Sequence, residues 1–161
     1  MGLISGSFDR ATYLRQLERF YGFWQGWQPA VATLLRDEDF LRPRRRLDLL
    51  AADLSSLGLS RDAVAALPTC AAPELGSAAA AMGSLYVMEG STLGGRVILR
   101  HVEPHLGGGG CSYFTGYGDG TAAMWRSFVA RLDQWPAAEA ERIVGGANMT
   151  FEHLEWWFAQ P

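Results

Sequence analysis

Along the first quarter of the chain, Tyr13, Leu17, Phe20, Trp24, Trp27, Val31 and Leu34 recur at alternating intervals of four and three. That spacing lines one face of an α-helix with apolar side chains and leaves nothing for a strand, whose apolar positions fall two apart. Ser7 or Asp9 supplies an N-cap, while Gly22, Gly26 and Pro29 predict a bend or break near the middle. A second helix is expected over 43–57, with Leu47, Leu50, Leu54 and Leu57 on one side and Gly58 to end it. A short third runs from Ser60 to Leu67, and a long one from Glu74 to about His101, before Pro104 stops it. Two more are expected, from Thr121 to Trp135 and from Ala137 to Phe158, the last with Ile143, Val144, Ala147, Phe151, Leu154 and Trp157 at helical spacing. The glycine-rich stretch 106–120 between them is too aromatic for a bare linker and is expected to pack on something. No alternating strand, internal repeat or low-complexity tail interrupts this pattern, so the fold class is all-α: a helical bundle in a single domain, residues 1–161.

Composition narrows the function classes. With 48% hydrophobic residues, a chain of 161 residues can bury roughly two thirds of its unfolded surface without disulfides or a structural metal. Cys70 and Cys111 form no C-x-x-C pair, and no secretory signal is apparent, which gives a cytoplasmic expectation. The longest weakly polar run, Leu75 to Met88, is about fourteen residues, short of the roughly twenty that span a bilayer, so no membrane partner is expected. A net charge of −3 argues against nucleic acid, which demands a basic face. Every basic residue is arginine, and the cluster RPRRR at 42–46 reads first as a solvated helix start and second as a site for an anionic ligand or partner.

Catalytic constellations are sparse. His101 and His105 lie four apart, but Pro104 interrupts their shared face and no third ligand stands nearby. The di-iron pattern of glutamate followed three residues later by histidine is absent. Neither cysteine has an adjacent activating charge, and no phosphate-cradling glycine loop follows a strand.

The stretch YVMEGSTLGGRVILRH, 86–101, is different. Gly90, Gly94 and Gly95 each cost about 1 kcal/mol relative to alanine inside a helix, so something must approach that helix closely. One reading is a small-residue groove for a neighbouring helix. The other is a flat, rigid ligand lying on bare helix backbone, for which a planar macrocycle is suited.

LYVMEGSTLGGRVILRHVEPHLG resembles the glycine-rich distal helix of bacterial heme oxygenases, particularly the bacteriophytochrome-associated, biliverdin-producing branch. SYFTGYGDGTAAMWRSFVARLD and AERIVGGANMTFEHLEWW are similar to the segments that follow it, and FDRATYLRQLERFYGFW and RRRLDLLAADLSSLGL to its early helices. The resemblance implies a heme-oxygenase-like helical bundle with a kinked distal helix. It implies heme as substrate and cofactor, oxidative opening to biliverdin, carbon monoxide and iron with dioxygen, and electrons from an external donor such as a ferredoxin or reductase, with a bacteriophytochrome as a further partner. Carried onto this chain it places Gly90, Gly94 and Ser91 at the reacting face, and Gly90, Gly94, Gly95, Thr92 and Tyr86 against the bound heme, with Ser91 and Thr92 holding ordered water.

The family's proximal histidine lies on its first helix, and here no histidine precedes His101. Three readings follow: a shortened or degenerate, non-catalytic relative acting as a binding or interaction module; iron held by a substitute, with His153 or His101 as the candidates; or a first helix lying outside this sequence. With that helix absent, Tyr13, Phe20, Tyr21, Phe23, Trp24, Trp27, Tyr113, Phe114 and Tyr117 leave a pocket wall exposed. The expectation is then that the chain forms a homodimer through the vacated face or closes its helices over it, and that Arg42, Arg44, Arg45 and Arg46 meet heme propionates or an acidic reductant.

Overall fold

Asp9 opens the first helix by accepting the amide hydrogens of Ala11 and Thr12 at 3.3 and 2.9 Å. In the computed structural model, which describes residues 8–160, α1 (Arg10–Leu35) then runs unbroken through Gly22, Gly26 and Pro29. The predicted interruption is absent because the two glycines serve a neighbour. Carbonyls of Pro68 and Cys70 lie 2.3 and 1.9 Å from where β-carbons on Gly22 and Gly26 would stand, and the Cys70 amide donates to the Gly22 carbonyl at 3.0 Å. Ser7 and the residues before it lie outside the described range.

The remaining helices are α2 (Glu38–Leu41), α3 (Leu47–Ser56), α4 (Arg61–Ala65), α5 (Ala78–Val102), α6 (Ser112–Thr115), α7 (Thr121–Leu132) and α8 (Ala140–Ala159). Short 3-10 turns occupy Arg42–Arg44, Glu103–His105, Gly118–Gly120 and Ala137–Glu139. No strand occurs among the described residues, and none of their helices is long and apolar enough to cross a membrane. The segment read as one helix over 43–57 divides, because Pro43 lies in a 3-10 turn over Arg42–Arg44 and the helix begins only at Leu47. Ser77 caps α5 through the Ala80 amide at 3.1 Å, which moves its start four residues past Glu74, to Ala78.

The central contact is between α5 and α8. A β-carbon on Gly83 would fall 1.8 Å from the Ile143 carbonyl, and one on Gly146 would fall 2.0 Å from that of Ala80. Backbone therefore meets backbone, a packing only glycine permits. The pairs Ala80 with Gly146 and Ser84 with Thr150 keep a constant offset, so the two helices run in the same direction. At that crossing the Trp27 indole N–H donates to the Ser84 hydroxyl at 2.7 Å, and the Ser84 and Thr150 hydroxyls bond at 2.6 Å. Three helices are thereby tied at one buried point.

The other side of α5 is covered by the glycine-rich loop, as expected for a loop so rich in aromatics. Asp53 on α3 accepts the Ser112 and Tyr113 amides, each at 2.8 Å, and so caps α6 from a distance in sequence. Tyr13 donates to the Gly110 carbonyl at 2.7 Å and the Trp24 indole to the Tyr113 hydroxyl at 3.0 Å. Tyr13, Trp24, Tyr113 and Phe114 are consequently core residues.

Two glycine substitutions test this packing. Gly146→Ala forces apart backbones that already touch and should cost at least about 3 kcal/mol of unfolding free energy. Gly94→Ala, at a helical position with open space around it, should gain about 0.5–1 kcal/mol. Urea denaturation of both variants reads the contrast.

Candidate functional site

Beyond the glycine crossing, α5 and α8 border an open cleft of about 870 Å³, within the range of small-molecule sites. From α5 come Tyr86, Val87, Met88, Gly90, Ser91 and Leu93; from α8, Phe151, Leu154, Glu155, Phe158 and Ala159; α1 adds Gln16 and Phe20, and α7 adds Trp125. Tyr86 and Trp125 hold each other with ring centroids 5.5 Å apart, and Trp125 stacks on buried Phe128 at 5.6 Å. The walls are thus flat, aromatic and fixed from behind. Phe151 and Val144, each 57% exposed, sit on the side of α8 that the helical spacing assigned to the core; Phe151 lines the cleft instead. The aromatic wall expected to stand exposed is covered within the chain: Tyr13, Tyr21, Phe23, Trp24, Trp27, Tyr113 and Phe114 are buried, and Phe20 and Tyr117 are partly so.

The three glycines of the motif part company. Gly90 opens onto the cleft, where a β-carbon would meet nothing nearer than the Trp125 ring at 3.7 Å. Gly94 faces open space and is not among the cleft-lining residues. Gly95, expected against the ligand, is instead covered by the loop: the Phe114 carbonyl lies 2.6 Å from where its β-carbon would stand. Its bare face accommodates backbone. Ser91 borders the cleft but spends its hydroxyl hydrogen on the Met88 carbonyl at 2.7 Å. Thr92 donates to the Glu89 carbonyl at 2.7 Å and lines a separate cavity of about 60 Å³, together with Ser91, Gly95 and Arg46.

The histidines are elsewhere. His153 Nε2 lies 2.7 Å from the Ala71 carbonyl and 3.3 Å from Cys70 Sγ, tying α8 to the 68–72 segment, and it lines none of the cleft. That placement sets His153, the candidate substitute ligand, apart from the cleft. His105 stacks on Phe8 at 4.7 Å, and neither it nor His101 reaches the cleft. Among the described residues no group of three or more His, Cys, Asp and Glu gathers to hold a metal ion. Burial pushes the Cys70 thiol up to about 11, which keeps it protonated and unreactive at neutral pH.

The arginine cluster departs from its first reading. Arg42 and Arg45 are solvated and pair with Asp39 and Glu38, whereas Arg44 and Arg46 are each 4% exposed. Arg44 lies over the Phe40 ring with Nε 3.6 Å from Glu89, and Arg46 lies over Tyr117, which donates to Glu89 at 2.7 Å. None of the four lines the cleft. Sequence reasoning missed this cluster; the signal was alternation within RPRRR, which turns every second guanidinium inward.

Residues 2–160 match the family model described as Heme oxygenase. The chain belongs to the heme oxygenase family. It is also similar to a protein described as Heme oxygenase from Xanthomonas campestris pv. campestris (strain 8004), with 35% identity over 154 residues that cover 92% of this chain and 90% of the relative. Membership implies heme as the ligand. The cleft of this heme oxygenase homologue fits the disc of that ligand, with flat aromatic walls and bare peptide at Gly90. Its donor set does not fit the iron. Among the described residues no imidazole or thiolate lines it, and the side-chain donors on offer are the Tyr86 phenol, the Met88 thioether and the Glu155 carboxylate.

Burial holds the Glu89 carboxyl above its ordinary value of 4.5, against the opposing pull of the Tyr117 hydrogen bond and of Arg44 and Arg46. The folded state therefore binds this proton more tightly than the unfolded chain. Its contribution to stability is fully present in acid and is lost as pH rises above 4.5 toward the folded value. Glu89→Gln should flatten that part of the stability-against-pH curve, measured by denaturant midpoints across acid to neutral pH.

Proposed function

We propose that this chain takes heme as substrate in the cleft between α5 and α8. The reaction proposed is oxidative opening of the ring to biliverdin, carbon monoxide and iron, with dioxygen and electrons from an external donor. The observation that carries this reading is the bare backbone of Gly90 facing a broad apolar slot, where peptide rather than side chain meets a flat ligand. The chain's own part is binding and orientation. Trp125 and Tyr86 fix one wall, Phe20 and Phe158, 4.8 Å apart edge to face, fix another, and their apolar surfaces keep water from the faces of the ring. Among the described residues the only charged one lining the cleft is Glu155, so the ligand's carboxylates are best accommodated facing solvent, away from Glu155.

A second reading has its own observation. Since no histidine lines the cleft, the same geometry serves a non-catalytic relative that binds a tetrapyrrole without turning it over. Partnership with a ferredoxin, a reductase or a bacteriophytochrome, and formation of a homodimer, stand with the first reading as proposals.

Hemin titration under reductant and oxygen separates the two. A saturable Soret band that gives way to biliverdin absorption is the expected result for the enzyme; a saturable band that persists identifies the binding module. Gly90→Leu, which fills the slot, should weaken hemin binding at least about tenfold, and unchanged binding would remove the cleft as the site.

A further inference from the structure

The disagreement between walls that suit a porphyrin and donors that do not suit its iron has a consequence of its own. Resting on the reading of the cleft as a tetrapyrrole site, we infer that this cleft grips its ligand by the faces of the ring, so that iron-free tetrapyrroles belong to its ligand class alongside heme.

Three observations carry the inference. First, all of the chain's histidines, His101, His105 and His153, are placed away from the cleft, and His153 already has Ala71 and Cys70 as neighbours. An imidazole bond is what ordinarily makes a protein prefer an iron porphyrin over the empty ring. Among the described residues no histidine lines the cleft to supply that discrimination. Second, what the cleft does offer is indifferent to the metal: the Trp125 and Tyr86 rings, the edges of Phe20 and Phe158, and uncovered backbone at Gly90 contact carbon surface alone. Burial of such surface is non-directional and scales with area, which is the same for a ring with or without iron. Third, no arginine lines the cleft, so salt bridges to the ligand's carboxylates do not take over the role of anchor. The polar exception is Gln16, whose Oε1 is shut off from solvent with no hydrogen-bond partner. Shut off from solvent, that oxygen offers the ligand no anchor either.

Quenching of tryptophan fluorescence reads ring occupancy whether or not iron is present. The full chain titrated separately with hemin and with iron-free protoporphyrin IX should give dissociation constants within about tenfold of each other. Gly90→Leu should weaken both to the same extent, and the Soret maximum of the hemin complex should be unchanged in His153→Ala, His101→Ala and Tyr86→Phe. Hemin binding at least about a hundredfold tighter than the empty ring would overturn the inference while leaving the tetrapyrrole site standing, as would a Soret maximum displaced by any of those three substitutions. Protoporphyrin binding that survives Gly90→Leu undiminished would place it outside the cleft and overturn the inference as well. If neither ring binds, the reading of the cleft as a tetrapyrrole site falls, and this inference falls with it.

Discussion

The backbone contacts of Gly83 with Ile143 and of Gly146 with Ala80 are the constraint from which the rest of the molecule follows. Two helices running in the same direction touch without side chains between them, and the Trp27–Ser84–Thr150 hydrogen bonds lock a third helix onto the same point. From that point onward their facing residues are large: Tyr86, Met88 and Leu93 on α5, and Phe151, Leu154 and Phe158 on α8. A pair of helices held at backbone distance at one end, and carrying bulky side chains at the other, leaves space that no partner side chain fills. The cleft is the geometric result of small residues followed by large ones.

The loop at 106–120 balances this arrangement on the opposite side of α5. Asp53 orders its short helix, Phe114 presses its carbonyl onto Gly95, and Tyr117 reaches Glu89. Glu89 immediately precedes Gly90, so the residue that opens the cleft is adjacent to one anchored in the buried cluster behind it. Arg44, Arg46, Tyr117 and Glu89 remove charge from water at considerable cost, and several of their atoms, including Arg44 Nε and Glu89 Oε2, lack hydrogen bonds within 3.5 Å. Such a cluster adds little to stability against an apolar alternative, but it fixes the rotation of α5, because only one facing brings Glu89 to Tyr117.

Much of this was legible from residues alone. The three-and-four spacing of Tyr13 to Val31 gave α1, and the glycine-rich loop was rightly expected to pack. The boundaries near Pro43 and Glu74 were misplaced by a few residues, because the 3-10 turn at Arg42–Arg44 and the cap at Ser77 depend on local geometry that periodicity does not encode. The larger omission was the pair that matters most. Gly83 hides in an alanine-rich run and Gly146 in VGGAN, yet each is followed by a small polar residue, Ser84 and Thr150, on the same contact surface. Small residues at Ala80, Gly83 and Ser84 facing Gly146, Ala147 and Thr150 spell a close crossing, but only when the two segments are read against each other. The inward turn of Arg44 and Arg46 escaped for a related reason: a run of like charges is solvated unless some distant carboxylate and aromatic faces receive it, and Glu89, Phe40 and Tyr117 are not neighbours in sequence.

The motif at 90–95 shows why a glycine count does not specify a surface. One turn of helix separates Gly90 from Gly94, and their surroundings differ entirely from that of Gly95, one step further around. A helix advances about 100° per residue, so glycines at 90, 94 and 95 clear two faces rather than one. One face opens onto an aromatic slot and the other receives the Phe114 carbonyl. Close packing therefore holds on one side of the helix, while the other side faces the open slot that the ligand reading needs. Close packing at Gly95 holds the loop against α5 while Gly90 keeps the cleft clear, so the stretch at 90–95 carries the two tasks together.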